Sequence, residues 1–424
     1  MSPTRKFIWI ALGAAFVTVA CTSSPPASLR AAASPASVLE WNGVAQRVTI
    51  SVAKQYQAQS MIYIAMTQAA VYDAVGAIVG GYRPYVLRVK RQPDASVDVA
   101  VATAAHGVLA HYFPDQQQAL DADLTRSLAA VPDGDAKEAG RAIGRAAAEG
   151  ILALRRGDGL EADIGFKVPP TSVGTWQPPA GTTPQTPWVS RLKPFMLQRP
   201  DQFRPGAPPD LASRTWVDDF LEVKSLGGAT VIARTDEQTE TATFWSTNSV
   251  VQFNGSFGRM VADRHLDAMG AARLFAMGNM VGADALIACF DAKYHYVFWR
   301  PQYAIPRGSI ESHSSTGGDT GWKPLLATPN HPEYPAAHGC LTAAEATTLA
   351  AFVGSQRIDA TLTSNLPKLI RPSRTYEQAD EMVDEMSNAR VLGGLHYRHS
   401  VGVGVDLGRK VATWALERYF QAGN

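Results

Sequence analysis

Apolar positions recur at three- and four-residue intervals along most of the chain, the spacing that lines one face of an α-helix. Ile64, Val71, Val75 and Ile78 fall on one such face, and Gly80 and Gly81 follow as a stop signal. Ala136, Ala139, Ile143, Ala147, Ile151 and Leu154 repeat the pattern and end before Gly157 and Gly159. Ala379, Met382, Met386, Ala389 and Gly393 form a third series. Thr375 and Gln378 precede it in capping-box spacing, which predicts a helix over 375–394. Leu341 to Val353 reads as a fourth helix. Alternating β-type runs bounded by turns are hard to find. Alanine-rich faces let helices approach closely, so the expected class is all-α, built of helical bundles.

Two stretches break the pattern. Between Pro169 and Pro209 lie eleven of the 27 prolines, with Trp176 and Trp188 among them, a density no helix tolerates. Residues 166–210 are expected as an interdomain linker, or as an arm laid over the surface with tryptophan anchors. They separate an N-terminal helical domain, 37–165, from a C-terminal helical domain, 211–424. At the start, Arg5 and Lys6 precede an apolar run from Phe7 to Ala20 that ends at Cys21, the layout of an export signal over 1–21. Its end resembles a lipoprotein signal, with Cys21 as a lipid anchor; an ordinary secretory peptide is the alternative. The expected location is periplasmic, membrane-tethered or secreted. Residues 22–36, rich in Ser, Ala and Pro, read as a flexible tether.

Charge and cysteine content narrow the chemistry. Lys plus Arg number 39 against 38 Asp plus Glu, a balance that argues against a nucleic-acid partner. Three cysteines are too few for a disulfide scaffold or a zinc cluster. Catalysis must then come from His, Lys, Arg and carboxylates, or from a bound cofactor.

Three segments of the C-terminal half offer those groups. In the first, Lys293 and Arg300 stand seven positions apart, with Pro301 next. If one helix persists to Arg300, both cationic heads reach one point and suit an anion with several oxygens; a solvated surface pair is the plainer alternative. The second runs from His331 through Pro332, Glu333 and Pro335 to His338, which falls at a helix start. There free N–H groups and the dipole favour an anion, and a His of near-neutral pKa could exchange protons with it. A capping role is the alternative. The third places Arg390 six positions before His396, with Gly393 and Gly394 between. His396 suits a metal ligand or a nucleophile toward phosphorus, or a His satisfied by a nearby carbonyl.

In this order, Lys-x6-Arg-Pro, Pro-x-x-His and Arg-x5-His resemble the signature shared by vanadium-dependent haloperoxidases and type 2 phosphatidic acid phosphatases. The motifs span residues 293–400. A weaker likeness extends to Tyr72-Asp73-Ala74 and to Tyr82 through Tyr85, similar to the N-terminal part of soluble bacterial members. The resemblance implies a four-helix-bundle catalytic core with an additional N-terminal helical domain. It implies that Lys293, Arg300 and Arg390 hold the oxygens of vanadate or phosphate, with the Ala337 N–H as a further donor. His396 would be the vanadium ligand, or the nucleophile of a phosphatase, and His338 the acid–base group. The implied partners are hydrogen peroxide, a halide and a small organic acceptor; assembly into a homo-oligomer stays open.

Three positions qualify the likeness. Ala336 replaces the family's usual Ser and removes a hydroxyl donor. Ser400 stands where the phosphatases carry an Asp that orients the nucleophilic His, which counts against phosphatase action. His331 lies where bromoperoxidases of the family place a His and a chloroperoxidase a Phe. It is expected to act at the reacting centre and favour bromide or iodide, a solvent-facing ring being the alternative. The leading expectation is a vanadate-dependent haloperoxidase. The alternatives are a soluble acid phosphatase with a phosphohistidine intermediate and a degenerate oxyanion-binding member. His295, His313 and His399 are expected outside the reacting centre, and His106, His111 and His265 at the surface or in packing. Phe298 and Trp299 are assigned to the core. Cys289 and Cys340 are expected as buried thiols, with a disulfide between them as the alternative.

Overall fold

The computed structural model describes Met1 and residues 33–310 and 315–423. The export signal, Cys21, most of the tether and His313 lie outside the described residues. The N-terminal helices are α1 (Ala36–Gln46), α2 (Gln57–Val79), α3 (Val97–Tyr112), α4 (Gln117–Ala129) and α5 (Asp135–Arg155). After the Pro-rich segment come α6 (Arg214–Leu226), α7 (Asp236–Phe244), α8 (Ser249–Asp263), α9 (Ala268–Tyr296) and the single turn α10 (Pro301–Ala304). The chain then forms α11 (Ala337–Val353), α12 (Ala379–Leu392) and α13 (Arg398–Arg418). The all-α expectation holds.

α2 and α9 are long and apolar enough to cross a membrane, yet both are buried by protein on nearly every side. A helix apolar all round is a core helix when other helices cover it. α2 packs on α9, and α11 is wrapped by α9, α12 and α13. One cluster of buried residues therefore runs from Val38 to Phe420 through both helical stretches. α13 and α11 meet almost backbone to backbone. A Cβ on Gly408 would lie 2.1 Å from the Cys340 carbonyl oxygen, and one on Gly404 2.6 Å from that of Ala336. Any larger residue there would push α13, and the loop leading into it, away from the start of α11.

The Pro-rich segment lies along α9, with Trp176 and Trp188 buried. Its backbone bonds to the end of α9: Trp176 N–H donates to Val297 O at 2.8 Å, and Trp299 N–H to Gly174 O at 3.0 Å. The buried Asp284 of α9 accepts from the N–H groups of Phe195, Met196 and Leu197 at 2.6, 2.7 and 2.9 Å. Burial raises its pKa to about 6, against those three bonds. Asp73 does the same for Tyr85, Val86 and Leu87, while the Tyr72 hydroxyl donates to Arg83 O. The two stretches that carried the N-terminal likeness thus meet in space. Asp284→Ala would leave three buried donors without an acceptor, at about 1–3 kcal/mol each before relaxation. Thermal unfolding should show a loss of several kcal/mol; an unchanged melting temperature would contradict this account of the arm.

Two local expectations need correction. The helix predicted from residue 375 begins at Ala379, and its capping box is Gln378 with Glu381. Thr375 lies instead in a strand. β2 (Ser373–Gln378) pairs antiparallel with β1 (Arg357–Thr363), setting Ala360 opposite Tyr376. Ile358, Ala360 and Leu362 do alternate inward, but the run is short and its middle residue is only weakly apolar. The second correction concerns α9, which ends at Tyr296. Val297 turns left-handed, with φ at 49°, and Arg300 is extended at the start of α10. Lys293 and Arg300 are not two turns apart on one helix.

Candidate active site

Lys293, Arg300 and Arg390 come together all the same, because the 331–335 segment crosses the end of α9. Lys293 Nζ donates to Pro332 O at 3.0 Å and to Glu333 O at 2.8 Å. Arg300 joins this segment to the loop before α13. Its Nε donates to His331 O, its Nη1 to Leu395 O, and the same Nη1 lies 3.1 Å from His396 Nε2. Arg390, in the last turn of α12, donates from Nη1 to Trp245 O at 3.2 Å. The loop from α12 to His396 turns at Gly394, where φ is +72° and a Cβ would strike Gly227 O at 2.3 Å. Only glycine fits that turn.

The three cationic side chains are 0–2% exposed. Burying a charge without a full counter-charge is costly. Burial pulls Lys293 down to about 8, Arg300 to about 10 and Arg390 to about 9, with Arg300 adding to the effect on Arg390. One carboxylate stands among them. Glu333 is fully buried, and burial raises it to about 7 against the pull of Arg300 and Lys293.

Glu333 is the functional residue that sequence reasoning missed. Its Oε1 accepts from His396 Nδ1 at 2.7 Å and from the Tyr397 N–H at 3.2 Å. His396 is held neutral, first by burial and then by Arg300, Lys293 and Arg390. A neutral imidazole that donates from Nδ1 keeps its lone pair on Nε2. The expectation that Ser400 leaves this ring unoriented is therefore overturned. Glu333 supplies the carboxylate from another segment. A carboxylate inside a Pro-rich segment bounded by two histidines was the available signal.

The other histidines divide. His338 is the second residue of α11, and its ring bonds to the Trp245 carbonyl. Nε2 is buried without a partner, so the bonded nitrogen is Nδ1. Burial, then Arg390, Lys293 and Arg300, keep the ring well below the usual histidine pKa, not near neutrality. It stands ready as a base. Trp245 O thus holds both His338 and Arg390. Its indole in turn donates to Glu385, which also takes bonds from Arg374 and Tyr376 of β2. His331 is buried and does not turn to solvent. Its Nδ1 lies 3.0 Å from both Arg300 Nη2 and Pro332 O. That nitrogen therefore stands between a group that only donates and one that only accepts.

A cavity of about 200 Å³ is lined by His331, Ala337, His338, Arg390 and His396, with Leu286 and Phe290 of α9. Gln185 and Thr186 from the Pro-rich arm, and Tyr56 before α2, complete its wall. Ala337 is the first residue of α11, where a backbone N–H has no partner in the helix. Ala336 caps that helix without a side-chain bond. Phe298 and Trp299 pack in a separate apolar cluster with Trp216 and Tyr397. Cys289 and Cys340 are buried free thiols. His295, His106, His111 and His265 lie away from the cavity, and His399 stacks on Tyr334.

Comparison with known proteins agrees with this arrangement. Residues 273–423 match the family model of the VCPO second helical-bundle domain. The fold is similar to a crystal structure described as the first bacterial vanadium-dependent iodoperoxidase, with TM-score 0.75 and 20% identity. That match covers 92% of this chain and 97% of the other. It is also similar to a bacterial vanadium-dependent chloroperoxidase in apo and holo forms, each with TM-score 0.69 and 18% identity. Those matches cover 84% of this chain and 92% and 90% of the others. No curated protein sequence matches the chain. The superfamily read from the three motifs is borne out.

Proposed function

We propose that this chain, which carries the second helical-bundle domain of the haloperoxidase and phosphatase superfamily over 273–423, is a vanadate-dependent haloperoxidase. It would oxidise bromide or iodide with hydrogen peroxide to a hypohalous-acid equivalent that halogenates a small organic acceptor. One observation carries the reading. Two neutral imidazoles, each with a lone pair on Nε2, line one cavity with the buried Arg390, and the buried Lys293 and Arg300 stand behind that wall with a single carboxylate, Glu333, among them.

Vanadate fits that donor set, since its charged oxygens suit guanidinium and ammonium donors and one imidazole nitrogen remains for the metal. When bound it supplies Lewis-acid activation of peroxide toward halide. Lys293, Arg300, Arg390 and the Ala337 N–H would hold its oxygens, and His396 Nε2 would be its ligand, fixed by Glu333. His338 Nε2 would take a proton from incoming hydrogen peroxide and return it to the departing oxygen. His331, whose ring lies 5.3 Å from that of Phe290, puts a neutral polar ring on the wall, which supports bromide or iodide over chloride. Export, read from residues 1–21, belongs to the same proposal.

A paired assay on one preparation tests it. With peroxide and added vanadate, bromination of a phenolic dye or oxidation of iodide is expected, and hydrolysis of a phosphate monoester should be weak. Strong hydrolysis without halide oxidation at any vanadate level would replace the reading with the phosphatase. Glu333 on His396 is the observation that favours this second reading, because an oriented imidazole is what a phosphohistidine mechanism needs.

The lowered pKa of Lys293 also makes anion affinity depend on pH. Above about 8 the free site loses this positive charge, and an anion must then draw a proton back to it. Phosphate is a dianion throughout this range, so its own ionisation adds little. Calorimetry with inorganic phosphate between pH 8 and 10 should show affinity falling with pH, by up to about tenfold per unit for each site cation that titrates in this range. A flat or rising affinity would contradict the placement of Lys293.

A further inference from the structure

We infer that Tyr56 is a self-halogenation site: the phenol that a hypohalous acid formed in the cavity meets on its way out. The inference rests on the haloperoxidase reading. All thirteen tyrosines fall within the described residues, and Tyr56 alone is more than half exposed, at 53%. It is also the tyrosine that lines the active-site cavity. Standing extended just before α2, with φ at −61° and ψ at 155°, it belongs to both cavity wall and surface. That defines the mouth.

The rest of the wall makes the position matter. Thiols and thioethers are the side chains that oxidants consume most readily, and no Met, Cys or Trp is among the residues that line this cavity. Cys289 and Cys340 lie buried behind it. Phe290 has no hydroxyl to activate its ring. An electrophilic halogen released at the cavity floor therefore meets no thiol, thioether or indole before it reaches the Tyr56 phenol. The ring carbon next to the Tyr56 hydroxyl-bearing carbon then attacks the halogen. A carbon–halogen bond forms as the oxygen–halogen bond breaks, its electron pair leaving with hydroxide. Hydroxide takes the ring proton to give water, and aromaticity returns. The ring carbon is oxidised and the halogen reduced, so hypohalous acid is the only oxidant required.

The test uses the full chain loaded with vanadate and supplied with peroxide and iodide, without an organic acceptor. Peptide mass spectrometry reads iodine on each tyrosine, and a parallel dye assay reports iodide oxidation. Free methionine is added at a level that cuts labelling by externally added hypoiodous acid at least tenfold. Under that protection, turnover should still label Tyr56 and leave the half-buried Tyr82, Tyr296 and Tyr303 clean; Tyr56→Phe should lose the label. If methionine suppresses labelling equally from inside and outside, or all four tyrosines label together while iodide is being oxidised, the inference fails alone. If the loaded protein oxidises no iodide, the haloperoxidase reading fails and takes the inference with it.

Discussion

Replacing His396 by Ala is expected to abolish vanadate binding, whereas replacing His338 by Ala should spare most of it and slow turnover. Both rings are neutral, and both offer an Nε2 lone pair. They differ in what stands around that nitrogen. His396 Nε2 lies 3.1 Å from Arg300 Nη1, among the cations that would hold an oxyanion, and its Nδ1 is fixed by a carboxylate. His338 Nε2 is without a partner at the start of α11, and its Nδ1 is fixed by a carbonyl. The first setting makes a ligand and the second a proton acceptor. Losing an acid–base group costs about 10²–10⁴-fold in rate. Equilibrium dialysis with vanadate and steady-state iodide oxidation separate the two effects. Equal loss of binding in both variants would contradict this division of labour.

Glu333→Ala should have the next largest effect, although no motif residue is touched. It removes the acceptor of His396 Nδ1–H and the one buried carboxylate near Lys293 and Arg300. The ring is then free to turn or to exchange tautomers. Losing an outer partner of a metal-ligating His typically costs 10–100-fold in affinity, and about that loss of vanadate binding is expected here. Glu333→Gln should cost less, since its amide oxygen still accepts from Nδ1–H and the Tyr397 N–H. Nitrogen NMR of the histidines reads the same point without vanadate. Proton placement on His396 Nδ1 should survive in the Gln variant and be lost in the Ala variant. If the Ala variant does not fold, the Gln variant carries the test, and a Gln variant with its His396 proton moved to Nε2 would contradict the role of Glu333.

How much of this was legible depends on range. The helical spacing around Ile64–Ile78 and Ala136–Leu154 is local, and α2 and α5 lie where it put them. The end of α9 was not legible. Tyr294 to Trp299 hold neither Gly nor Pro, and the β-branched Val297 adopts a left-handed turn because the Pro-rich arm bonds to its carbonyl. Cation and histidine types were readable in the three motifs, and those residues do converge. Their partners were not. Glu333 acts because its segment folds across the end of α9 toward the loop before α13. Trp245 holds two site residues through its carbonyl, a group every residue has. Gln185, Thr186 and Tyr56 reach the cavity from far upstream, at distances no spacing encodes.

The central claim is that the three motifs form one oxyanion site whose occupant decides the activity. The most direct measurement is iodide oxidation by metal-free protein, titrated with vanadate at several fixed phosphate concentrations. Activity should be absent at the start, appear with vanadate and saturate. Phosphate should raise the vanadate needed for half-maximal rate without lowering the maximum, as competition for one site demands. Halide oxidation that persists in vanadium-free, phosphate-rich buffer would contradict it.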